Sequence, residues 1–296
     1  MKYRQFIFAL MLSTALGLAN VYAGGSCAKA NTDSTCMWSF DPSSGTLTIS
    51  GAGQMEDYPI LYDATHDEAT SPWKSHLSSI TNIEVQDGIS SLGEGAFYQA
   101  SQAVSITIPQ SVTSIKARAL QAISAPNITL PQNLQSLGLI ALGSNPNLQT
   151  ITLPNTLTSI DDWLFAASAL TSITIPSNIK TIGGYAFYAT NLTSIEIPST
   201  VERIGDYAFR GCNSLTSITI SDNTVLGKIF GSESTVLDLS KITVYCKGDN
   251  KTCDSKLKAA GYDIKSKVYR NNRRIYTIDE ANKDAGTKNR VSIRYR

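Results

Sequence analysis

Isoleucine and leucine recur along this chain in a short alternating phrase that returns every 22 or 23 residues. Ile106-Thr107-Ile108-Pro109, Ile128-Thr129-Leu130-Pro131, Ile151-Thr152-Leu153-Pro154, Ile173-Thr174-Ile175-Pro176 and Ile195-Glu196-Ile197-Pro198 repeat one pattern, their prolines 22, 23, 22 and 22 residues apart. Degenerate copies flank them at Ile83-Glu84-Val85-Gln86 and Ile218-Thr219-Ile220-Ser221. Apolar–polar–apolar alternation predicts a strand with one buried face. The proline at its end removes a ladder donor and stops pairing there. A parallel partner needs a crossover instead of a tight turn, and this period is long enough for one coil of a solenoid.

Each copy carries a second apolar pair: Val112/Ile115, Leu134/Leu137, Leu157/Ile160, Ile179/Ile182 and Val201/Ile204. A closing pair follows, as in Ala96-Phe97, Ala119-Leu120, Ala141-Leu142, Leu164-Phe165, Ala186-Phe187 and Ala208-Phe209. One coil cannot cover its own apolar side, whereas stacked coils bury one another. At about 1.5–3 kcal/mol per buried side chain, stacking offsets much of the ordering entropy. The pattern therefore predicts a repeat solenoid, mainly β, with a parallel β ladder and short irregular or helical turns.

The phrase Ile173-Thr-Ile-Pro-Ser-Asn-Ile-Lys-Thr-Ile-Gly-Gly-Tyr-Ala-Phe187 and its neighbour at 195–209 resemble the BspA-type leucine-rich repeat. The likeness runs from about Ile83 to Ile220, and the lead-in Trp38–Gly53 is similar to the segment preceding such repeats. Lys116–Leu120 and Gly138–Leu142 depart from the Gly-x-Tyr-Ala-Phe form, and of the full repeats only the last keeps Phe-x-x-Cys, at Phe209 and Cys212. The resemblance implies a secreted or cell-surface protein that binds other proteins, in adhesion or host contact, without catalysis.

Four segments follow from this reading. Residues 1–23 read as a signal peptide: Lys2 and Arg4, an apolar run from Phe6 to Leu18, and small residues for cleavage near Ala23. Residues 24–80 form an N-terminal cap whose hairpin turns at Asp41–Gly45, residues 81–240 the solenoid, and 241–296 a C-terminal cap with a basic tail. In that last segment a strand is expected at Lys241–Cys246, a short helix at Asp254–Ala260, and strands at Arg274–Ile278 and Arg290–Arg296 around a helical turn at Asp279–Asp284. No later stretch is apolar enough to span a membrane.

Charge sharpens the division. The net charge is +1, yet residues 241–296 hold 15 Lys/Arg against 6 Asp/Glu, and residues 1–240 balance to −8. The tail would bind an anionic envelope, dock on the acidic body, or be solvated. Nucleic acid is not an expected partner of an exported chain. Of five cysteines, Cys27/Cys36 and Cys246/Cys253 are candidate local disulfides in an oxidising compartment. Zinc competes weakly, with eight and six intervening residues and no histidine nearby. Cys212 reads as a buried thiol.

No catalytic constellation, cofactor motif or metal site is apparent. His66 and His76 lie before the repeats with no nucleophile around them, and Asp161-Asp162 aligns with Gly183-Gly184 as a surface turn. Binding candidates are surface columns instead. Strand alternation points Ser105, Asn127, Thr150, Ser172, Ser194 and Ser217 outward, with a second column of Thr107, Thr129, Thr152, Thr174, Glu196 and Thr219. Trp163, Tyr185 and Tyr207 occupy one position in three successive coils, an aromatic stripe able to anchor a protein or stack on a glycan. The expected partner is a host or envelope protein. An envelope-assembly module anchored by the tail and a glycan-binding module are the alternatives.

Overall fold

The computed structural model describes residues 22–62, 67–231, 242–248, 250–270 and 273–280. The expected signal peptide up to Val21, His66 and the tail beyond Glu280 lie outside them. The described chain is a parallel β-solenoid of leucine-rich-repeat type.

Its coils stack along two rows of short strands. In the first row Thr46–Ser50, Asn82–Val85 and Ser105–Thr107 pair in parallel, which stacks Leu47 on Ile83 and Ile83 on Ile106. At the other end Ser194–Glu196, Ser217–Ser221 and Thr243–Lys247 do the same. The phrases at 127–130, 150–153 and 172–175 make no regular strands, although Ile128, Leu130, Ile151, Leu153 and Ile175 are buried. Apolar packing holds these coils in register, and backbone pairing passes to the second row.

That row consists of two-residue strands at the second apolar pair. Ile89–Leu92, Ser114–Ile115 and Ser136–Leu137 form one parallel ladder. Ser159–Ile160, Thr181–Ile182, Arg203–Ile204 and Val225–Leu226 form another. Between Leu137 and Ile160 the ladder opens, and the closing turns carry the joint: Ile140, Leu142 and Ser144 N–H donate to Asp162, Leu164 and Ala166 carbonyls at 3.2, 3.1 and 2.7 Å.

The closing turns bend through left-handed residues four positions apart. Arg118/Ala122, Ile140/Ser144, Trp163/Ala167 and Tyr185/Ala189 all have positive φ, and glycine replaces one member only at Gly95/Gln99 and Tyr207/Gly211. The bends aim the closing pair inward, where Phe165, Phe187 and Phe209 stack with centroids 5.6 and 5.4 Å apart. Three residues further on, Asn145 is fully buried and satisfied, accepting Ile123 N–H at 2.9 Å and donating to Leu142 O at 3.2 Å.

The N-terminal hairpin is built into the solenoid. Its second strand is already in the first row, and Gly53–Gln54 pairs with Ile89–Leu92 in the second. The stretch Tyr58–Ser75 contributes buried Tyr58, Ile60 and Trp73 despite its polar composition. Trp73 stacks on Phe97 and donates its indole N–H to Ala96 O at 2.9 Å. Asp57 accepts from Lys29, from Lys116 Nζ at 2.7 and 2.8 Å, and from Glu94 N–H at 3.0 Å.

At the far end the C-terminal helix spans Asn250–Ala259, beginning four residues before the expected Asp254. Asp279 lies in the strand Arg273–Glu280, not in a helical turn. That strand pairs antiparallel with Thr243–Lys247 and with Tyr262–Arg270, a strand the sequence reading did not anticipate. Buried Tyr262 packs edge-on against Phe230, and its hydroxyl oxygen accepts Phe230 N–H at 3.0 Å.

Candidate functional site: an aromatic stripe on the closing turns

Trp163, Tyr185 and Tyr207 stand at the first left-handed position of three consecutive coils, with φ of 60°, 56° and 61°. A left-handed residue directs its side chain away from the inward closing pair that follows it, so the three rings gather on the outside, each half-buried. Trp163 and Tyr185 stack at 4.0 Å and 7°, and Tyr185 and Tyr207 at 4.8 Å and 27°. Tyr188 meets both Trp163 and Tyr185 at steep angles, and the Arg210 guanidinium lies 5.6 Å from the Tyr207 centroid. The sequence reading missed Tyr188 and Arg210, which fall off the strict repeat column.

Two consequences follow for binding. The ring faces are largely spent on one another, so the stripe presents edges and polar tips. Those tips are free: Trp163 Nε1 and the hydroxyls of Tyr185, Tyr188 and Tyr207 have no hydrogen-bond partner in the described chain. Amphipathic rings with unpaired donors at a half-wet surface suit a protein interface, whereas sugar stacking requires an open face.

Beside the stripe, where the second row opens, a groove of about 300 Å³ is lined by Leu139, Ile160, Asp161, Asp162, Thr181 and Gly183. Leu139 is 42% exposed, among the few large apolar side chains of the described residues left to solvent. Asp162 accepts Gly184 N–H at 2.6 Å, and Asp206, one repeat pair further on, accepts Lys228 N–H at 2.7 Å. These carboxylates thus pin the next coil, and they also edge the stripe.

The hydroxyl columns sit on the first row, apart from the stripe. Thr107, Thr129, Thr152, Thr174 and Glu196 are exposed, while Ser217 and Thr219 are half-buried. A smaller groove of about 200 Å³ runs between the phrases at 127–132 and 150–152. Glu196 is held by Lys247.

The structure pairs Cys27 with Cys36 and Cys246 with Cys253. Cys212 is buried and unpaired; its thiol donates to Phe187 O at 3.0 Å, and burial pushes its pKa up to about 11. His76 stacks on Phe40 at 4.7 Å, a structural placement. Among the described residues no group of three His, Cys, Asp or Glu is arranged to hold a metal ion, and no helix is long and apolar enough to cross a membrane.

Comparison with known proteins bears on the same residues. The sequence profile of the family described as "BspA type Leucine rich repeat region" matches residues 75–190 and 180–233 in six copies, more than half of the chain. No curated protein matches it. Among solved structures, a leucine-rich repeat protein from Eubacterium ventriosum aligns with a TM-score of 0.51 at 23% identity, over 73% of this chain and 65% of that one. A leucine rich cell surface protein from Faecalibacterium prausnitzii aligns with a TM-score of 0.44 at 22% identity, over 74% and 58%. The chain thus spans less than two-thirds of either protein's length.

Proposed function

The chain belongs to the BspA-type leucine-rich-repeat family, and from that premise we propose that it is an exported surface protein that binds a protein partner, without catalysis. The observation that carries the reading is the stripe: Trp163, Tyr185 and Tyr207 stack outside the core with their polar tips unpaired. Interfaces concentrate their energy in such large amphipathic anchors. Arg118 and Ile140 hold the same left-handed position in other coils, so the turn itself does not require an aromatic residue there. Export is supported by the charged and apolar N-terminal pattern and by cysteines spaced for local disulfides.

The test is solid-phase binding of the exported chain, Gly24–Arg296, to purified extracellular-matrix and host cell-surface proteins. Binding that drops by at least tenfold in Trp163→Ala/Tyr185→Ala, measured at a temperature where the variant is still fully folded, supports the reading. Silence across the panel, or binding indifferent to the double substitution, contradicts it.

A further inference from the structure

Three carboxylates beside the stripe have neutral hydrogen-bond donors and no ion-pair partner among the described residues. Asp161, Asp162 and Asp206 adjoin Trp163 and Tyr207 in the chain, and none of them meets a lysine or arginine side chain among the described residues. Their protein partners are single neutral donors on Oδ1: Ser159 Oγ for Asp161 at 2.9 Å, and backbone N–H for the other two. The second oxygen of each carboxylate has no donor among the described residues. The contrast lies within the same molecule. Asp57 is clamped between Lys29 and Lys116, and Glu196 is paired with Lys247.

Two of these carboxylates share the 300 Å³ groove with exposed Leu139 and the hydroxyl-bearing Thr181. At the opposite end of the stripe the chain places a cation of its own, Arg210, over the Tyr207 ring. Guanidinium over aromatic ring is therefore a contact this surface already makes. Arginine suits such a place better than lysine, because its planar fork meets carboxylate oxygens and its weakly hydrated face lies on aromatic carbon.

We propose that the partner docks through an arginine-bearing segment, with a guanidinium entering the groove at Asp161 and Asp162 and its stem packed on Leu139 and the edge of Trp163. This rests on the reading of the stripe as the binding element and adds the chemistry of what it binds.

The probe is a labelled, unstructured twelve-residue peptide of glycine and serine with three arginines, set against its lysine and citrulline analogues by fluorescence anisotropy on the exported chain. Citrulline keeps the shape and removes the charge. The arginine peptide should bind about 5- to 10-fold more tightly than the citrulline one, a preference that falls with added salt. Asp161→Asn/Asp162→Asn should remove that preference and keep the melting profile, since asparagine retains an acceptor for Gly184 N–H. Equal binding of arginine and citrulline peptides, or a double variant that binds like wild type, overturns the proposal. The two readings fail separately. Partner capture lost in Trp163→Ala but intact in Asp161→Asn/Asp162→Asn sinks the arginine proposal alone, and capture indifferent to Trp163 sinks the stripe.

Discussion

The Trp163 indole lies flat on the Tyr185 ring, centroids 4.0 Å apart and planes 7° from parallel, with both residues left-handed. Arg118 and Ile140 share that backbone conformation in the preceding coils, so the bend belongs to the fold and the aromatics are an addition to it. A left-handed non-glycine residue costs about 1–2 kcal/mol, and a stacked aromatic pair returns about 0.5–1.5 kcal/mol. The column is close to balance in stability, and its distinctive product is an outward row of ring edges.

Tyr185 separates the two contributions. Tyr185→Ala loses both stacking contacts and keeps the strained backbone, whereas Tyr185→Gly loses the same contacts and relieves the strain. In urea unfolding the glycine variant should be more stable than the alanine variant by about 1 kcal/mol. The opposite order would mean that the turn is not left-handed in solution.

Phe187 sits between Phe165 and Phe209 at full burial. Phe187→Ala should lower stability by about 3–5 kcal/mol, as large-to-small changes in closed cores do. Thr174→Ala on the exposed first row should stay within about 0.5 kcal/mol of wild type. Comparable losses at the two positions in a thermal or urea melt would contradict the inward assignment of the closing pair.

Much of this was legible in the sequence, for identifiable reasons. Ile106, Ile128, Ile151, Ile173 and Ile195 announce themselves because alternation and period coincide, and the stripe shows as one aromatic per coil. The second row has no strand signature in the sequence: Val112 and Ile115 are three residues apart, and a two-residue strand has no alternation of its own. The left-handed corners were hidden because Arg118, Ile140 and Trp163 stand where glycine would have signalled them. In the sequence Asp161-Asp162 reads as a surface turn, and Asp162 does lie in one. Its groove with Leu139 arises only because the ladder opens there, and nothing in the residue pattern marks that opening.

Asn145 is a buried amide with a structural duty. Asn145→Ala leaves Ile123 N–H without its acceptor in the core and should cost about 1–3 kcal/mol. Amide exchange at Ile123 should accelerate in the variant more than at Ile182, one coil beyond the joint; equal acceleration would mean a global rather than a local effect.

Acid should loosen the N-terminal end first. Partial burial opposes ionisation of Asp57, but Lys116, Lys29 and Glu94 N–H outweigh it and hold its pKa to about 2, below the ordinary 3.8. A depressed carboxylate stabilises the fold above its unfolded value and loses that contribution as pH falls from about 4 toward 2. At a site this exposed the effect is on the order of 1 kcal/mol. Asp57→Asn should be less stable than wild type at pH 6, with the gap closing near pH 2; a gap independent of pH would remove Asp57 from the account.

On the proposed reading, contact is made by the closing turns. Hydrogen–deuterium exchange of residues Gly24–Arg296, with and without a captured partner, addresses it residue by residue. Slowed exchange is expected across 161–165, 183–188 and 205–210. Protection confined to the first-row phrases at 105–107, 127–129, 150–152 and 172–174 would move the binding face to the hydroxyl columns and contradict it.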